Sequence, residues 1–278
     1  MPLTRTITNP SAAEFGTSFR RYRSLAIGEV RQYLRNKTLL FMAIVFPIGV
    51  GLLVQFMGES DQVGSSLNRT AISMEVFLLI TLMFVQFYSV LSMTSTRRDE
   101  RVLKRLRTGE ARDLEILTAL ATPGAIMTAI LTLLMTAILI ACTGDLPRSG
   151  VLLFLIVIIG IVISTALALL TSAITANAEA AQMTSLPVMV LAMLSQSPLR
   201  SALPEQIQDP LSRTPFALIG DLTFIEWTGQ PFDQNADTSA SGLASTIDQA
   251  THPLGLLLVW GAVLAWAAVH YMKWETNR

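Results

Sequence analysis

Apolar residues fall into six runs, near Thr38–Met57, Ala71–Thr94, Thr122–Cys142, Gly150–Thr175, Thr184–Leu199 and Pro253–Tyr271. About 20 apolar residues in a helix cross a hydrocarbon core of roughly 30 Å, so the pattern predicts six crossing helices. The fifth run is the shortest and carries Pro187 and Pro198 toward its ends. Ahead of the first, residues 18–37 place Phe19, Tyr22, Ala26, Val30 and Tyr33 on one face, with Arg20, Arg21, Arg23, Arg31 and Arg35 largely off it. That spacing predicts an amphipathic helix lying at the membrane interface. Glu29 shares its apolar face, where a carboxylate calls for a cationic partner, and the nearest supply is the segment Ser95–Ala121.

Ser95–Ala121 joins the second and third runs and reads STRRDERVLKRLRTGEARDLEILTALA. Val102, Leu103 and Leu106 fall at i, i+1 and i+4, and Glu100 precedes Lys104 by four residues. Both patterns fit a short amphipathic helix. Gly109 interrupts before Leu114, Leu117 and Leu120 begin a second stripe. Two short helices suit a docking platform, and a solvated connector kept charged to fix topology would read the same way.

Composition narrows the class. With 278 residues, 51% hydrophobic and 14% charged, and a mean hydropathy of +0.52, the chain reads as one all-α integral membrane domain over 1–278. The formal net charge is zero, but six spans place sixteen of the twenty Lys and Arg residues on one side and leave only Arg69, Arg148, Arg200 and Arg213 on the other. By the positive-inside rule both termini and the 95–121 loop are expected in the cytoplasm and the 200–252 loop outside. Two histidines and the single Cys142 offer no material for a metal centre, a disulfide or a nucleophile–base pair, so no catalytic residues and no metal ligands are expected. Nearly uncharged spans argue against ion-coupled transport. No G-x-x-x-x-G-K-[ST] phosphate loop occurs, and nothing marks a nucleic-acid surface.

Within the spans, Met83, Gln86 and Phe87 of the second and Thr132 and Thr136 of the third are candidates for a substrate path, although helix packing or hydroxyls bonding back to their own carbonyls explain them as well. Gly160, Ser164, Ala168 and Ser172 form a small-x-x-x-small row suited to close helix packing, within one subunit or between two. Glu75 is expected to snorkel to the outer interface. In the 200–252 loop, short helices are expected near Pro204–Leu211 and Pro215–Ile225 ahead of a polar stretch, Asp233–Ala250.

SLAIGEVRQYLRNKTLLFMAIVFPIG, followed by RRDERVLKRLRTGEARDLEILTA, resembles the membrane subunits of ABC-2-type exporters. The matching features are the Arg-rich helix, the Phe46-Pro47 pair in the first span, and Glu100 followed by Lys104-Arg105-Leu106-Arg107. NAEAAQMTSLPVMVLAMLS and Leu203-Pro204 extend the likeness, while Thr108-Gly109-Glu110 stands where such loops often carry a proline. The resemblance implies a permease of the bacterial plasma membrane with a cytoplasmic coupling helix between spans 2 and 3. It implies that Glu100, Arg101, Val102, Leu103, Lys104, Arg105 and Leu106 contact a separate ABC ATPase, which would bind ATP and Mg. It also implies a second permease copy or a related chain beside this one. Apolar, Met-rich spans suggest export of a lipophilic drug, antibiotic or lipid. A lipid-linked glycan or a peptide is the alternative cargo, and a non-transporting scaffold or immunity factor the alternative class.

Overall fold

A bilayer offers no water to backbone N–H and C=O groups, so each apolar run satisfies its own as helix. The computed structural model describes residues 12–57, 66–100, 102–103, 112–232 and 243–272, and helices are the only regular elements among them. In chain order they are α1 (Ala12–Arg35), α2 (Lys37–Met57), α3 (Ser66–Ile80), a π-helical stretch (Thr81–Tyr88) and α4 (Ser89–Asp99). There follow α5 (Asp113–Thr143), α6 (Gly150–Ser172), α7 (Ala178–Leu194), α8 (Ser197–Ser201), α9 (Glu205–Ser212), α10 (Pro215–Thr228) and α11 (Leu243–Tyr271).

Local chemistry sets these limits. Ser149 Oγ accepts the Leu152 N–H and starts α6, Asn177 Oδ1 accepts the Ala180 N–H at 2.8 Å and starts α7, and Thr214 Oγ1 accepts the Ala217 N–H at 3.3 Å and starts α10. Gly144 (φ 78°) and Gly229 (φ 80°) end α5 and α10 in the left-handed conformation that a glycine adopts without strain. The Asn177 cap begins α7 ahead of the apolar run at Thr184. Gln196 then turns extended before Pro198, in the first turn of α8, so the fifth run is divided between two helices. The last helix starts at Leu243 and carries Pro253 inside it, a loss of one backbone bond that membrane helices accommodate.

Among the described residues four helices are long and apolar enough to cross a membrane: Leu67–Asp99, Asp113–Thr143, Gly150–Ser172 and Thr246–Tyr271. Ala43–Met57 and Glu179–Leu194 are shorter apolar helices. The continuous helix Leu67–Asp99 is the axis of the fold, since 72% of its most apolar stretch is buried by other elements, against 17% for α11. Around it stand α2, α5, α6, α7 and α10, with α1 lying along the start of α5 and α11 against α6.

Two packing details decide ambiguities in the sequence. A Cβ on Gly160 would stand 2.8 Å from Leu82 Cδ1, and Ser164, Ala168 and Ser172 are wholly buried, so the small-residue row packs inside this chain against the axial helix. Helix α10 is buried along almost its whole length, Trp227 completely, between α3, α6 and α11. Gly220 lets it approach: a Cβ there would lie 2.5 Å from Glu75 Oε1. Glu75 therefore does not snorkel. It is fully buried, and its Oε1 accepts the Ser197 N–H at 2.6 Å.

Candidate functional site

At the end of the bundle that carries α1, three elements are tied together by consecutive arginines of α4. Arg97 Nη2 donates to Glu29 Oε2 at 2.6 Å and to Gln32 Oε1 at 2.9 Å, fixing α1. Burial pushes the Glu29 carboxyl above its ordinary range, while the charge and hydrogen bond of Arg97 pull it back. Arg98 points the other way and is buried, its Nη1 donating to Ser172 O and its Nη2 to Thr175 O. It caps the last turn of α6, where orphan carbonyls and the negative end of the helix dipole favour a guanidinium. Thr175 Oγ1 lies 2.8 Å from Thr184 Oγ1, which carries the connection to α7. Against α5, Ser18 donates to Glu115, and Tyr22 Oη lies 2.9 Å from Thr122 Oγ1.

The expected amphipathic stretch of the charged segment begins directly after this knot. Glu100 is exposed and Val102 half-buried. Leu103, expected at the surface of a partner, is fully buried in the chain's own core, so its apolar side chain anchors the start of the segment. Arg101, Lys104, Arg105 and Leu106 lie outside the described residues.

Halfway along the axial helix, Gln86 Nε2 donates to Thr165 Oγ1 at 2.7 Å and to Ala121 O at 3.3 Å, joining the π-helical stretch to α5 and α6. Gln86 and Phe87 are fully buried, and Thr132 and Thr136 bond back to Thr128 O and Thr132 O, each at 2.8 Å. In this conformation these four residues serve packing. Met83, by contrast, lines an apolar cleft of about 220 Å³ between the axial helix and α7. A larger groove of about 620 Å³ adjoins it, walled by α2, α3 and α7 through Phe46, Val50, Val76, Ile80, Phe84 and Met193. Sequence reading did not single out α2 as a groove wall, since its apolar residues, the exposed Phe46 among them, carry no signal that separates a groove lining from any other apolar surface.

The opposite end is polar. Arg200 pairs with Asp221 beside a cavity of about 450 Å³ that Gln208, Asp209, Gln249 and His252 also line. Glu226 of α10 accepts the Ser149 N–H at 2.7 Å, and burial raises its carboxyl to about 7 against the opposing effect of that bond. Among the described residues no three His, Cys, Asp or Glu side chains gather as a metal would need, and Cys142 is exposed.

A sequence profile of the family described as ABC-2 type transporter matches residues 20–197, from α1 into α8. No curated protein sequence matches the chain.

Proposed function

Because the chain belongs to the ABC-2 type transporter family, we propose that it is the permease subunit of an ATP-driven exporter whose ATPase is a separate chain. The family match across α1–α7 carries this reading, and the absence of any phosphate-loop motif from the sequence supports it. Six crossings are proposed: α2, the axial helix, α5, α6, α7 with α8, and α11. The charge asymmetry favours both termini and the segment after α4 on the cytoplasmic side of a bacterial plasma membrane. That segment would receive the ATPase through Leu106 and the flanking Glu100, Arg101, Lys104 and Arg105. The knot of Glu29, Arg97 and Arg98 would pass its displacement to α1, α6 and α7. A second permease copy or a related chain would complete the path opposite the groove.

The cargo class rests on the groove, whose walls are almost wholly apolar and carry Met193, with Met83 in the adjoining cleft. Flexible thioethers repack around varied hydrophobic shapes, which suits a lipophilic cargo. The test is uptake of a lipophilic fluorescent amphiphile by inside-out vesicles containing the chain and its ATPase. Uptake on adding MgATP, absent with a non-hydrolysable analogue, is expected. Uptake confined to right-side-out vesicles would refute export, and none in either would refute the cargo class.

A further inference from the structure

The described lining of the groove is apolar except for Arg69 of α3 and Gln196, just before α8. Lipid tails are as apolar as the groove walls and compete equally for them, so hydrocarbon alone gives little selection inside a membrane. Selection falls to these two polar side chains. The Arg69 Nε is buried and has no hydrogen-bond partner among the described residues. A buried donor left unpaired is costly, and an incoming acceptor removes that cost. Among the described residues no carboxylate lines the groove; the Arg69 guanidinium is the charged group of the lining and the Gln196 side-chain amide its other polar group.

We propose that this groove selects an anionic amphiphile, with the hydrocarbon body against Val50, Val76, Phe84 and Met193 and a phosphate or carboxylate at Arg69 and Gln196. The inference rests on the groove being the substrate path and adds the charge of the cargo to it. A guanidinium fork matches the paired oxygens of such an anion, and the amide donates a further bond. A neutral or cationic amphiphile of the same shape fills the walls but leaves Arg69 unsatisfied, so binding discriminates by headgroup. Arg69 is thereby a specificity-determining residue, distinct from the side chains that make the apolar walls.

The experiment uses the permease–ATPase complex in neutral-lipid nanodiscs, with two photoreactive probes: hexadecyl phosphate carrying a diazirine in its tail, and the matching alcohol. Cross-linked peptides are identified by mass spectrometry. The phosphate is expected to label the peptides holding Phe84 and Met193 at concentrations about tenfold or more below the alcohol. Arg69→Gln removes that advantage and Arg69→Lys keeps part of it, both with unchanged labelling by the alcohol. Gln196→Leu, which leaves the cation in place, reduces the advantage and serves as the second variant should Arg69→Gln not insert. Equal labelling by both probes in the parent, or an undiminished phosphate advantage in Arg69→Gln or Gln196→Leu, overturns the headgroup assignment while leaving the groove as a path. Labelling of the groove by neither probe overturns the path itself, and this inference with it.

Discussion

Glu29 of α1 and Arg97 of α4 meet at 2.6 Å across 68 positions of sequence, on the face of α1 turned into the bundle. The pair fixes α1 to the end of the axial helix, where the charged segment begins. Glu29→Gln keeps an acceptor for Arg97 but removes the charge attraction. The variant should insert normally yet transport several-fold more slowly, measured as ATP-driven uptake per inserted subunit. Unchanged transport would show that α1 only anchors the chain.

Arg98 supplies two donors to carbonyls at the end of α6, and hydrogen bonds to charged groups contribute roughly 1.5–3 kcal/mol each. Arg98→Gln should therefore lower stability by a few kcal/mol and open the turn at 173–177. Hydrogen exchange of those amides in detergent would rise in the variant, while exchange in α9, at the opposite end of the bundle, stays constant.

Glu226 gives a pH dependence with a definite sign. Its folded carboxyl titrates at about 7, against an ordinary 4.5, so between those values the folded chain holds a proton that the unfolded chain has released. This contribution to stability is fully present below 4.5, falls as pH rises through 7 and is flat above. Glu226→Gln keeps the acceptor for the Ser149 N–H without the charge. It should be more stable than the parent at pH 8 by something on the order of 1–3 kcal/mol and equal to it at pH 4, as read from melting temperature.

Gly124 lies where a Cβ would be 2.5 Å from Gln86 Oε1 and 2.9 Å from Val85 O. Since one of those contacts is backbone, Gly124→Ala should destabilise by about 1–3 kcal/mol. Gln86→Ala removes the side-chain clash together with the bonds to Thr165 and Ala121, so Gly124→Ala should cost less in a Gln86→Ala background than in the parent, without becoming neutral.

Much of this architecture was readable because membrane crossing imposes a strong pattern: the apolar runs, the arginine-bearing face of α1 and the misplaced Glu29 all show in the sequence. Apart from the pairing of Glu29 with a cation of Ser95–Ala121, contacts between elements distant in the chain did not show. Gln86 stood out as polar in a span, but nothing pointed to Thr165 and Ala121 as its partners. Glu75 was misread because a carboxylate near the end of a span ordinarily reaches water, whereas Gly220 admits α10 and Ser197 turns its N–H inward. Helix α10 was expected as a short helix near Pro215–Ile225, but not its burial between α3, α6 and α11, since Pro215, Asp221 and Glu226 suggested a surface element. Leu103 illustrates the limit of periodicity, which identifies an apolar stripe but not whether the stripe faces this chain or another.

That distinction leads to the most direct test of the central claim, that the segment after α4 receives a separate ATPase. The measurement is vanadate-sensitive MgATP hydrolysis co-purifying with the tagged chain from its native membranes in mild detergent, for the parent, Leu106→Asp and Leu103→Asp. Burying a leucine contributes about 1.5–3 kcal/mol, so Leu103→Asp should damage the subunit's own fold and lower its yield. Leu106→Asp should leave yield and insertion intact but lose the hydrolysis. Hydrolysis that stays with Leu106→Asp at the parent's level, or a well-inserted parent that carries none, would contradict the account.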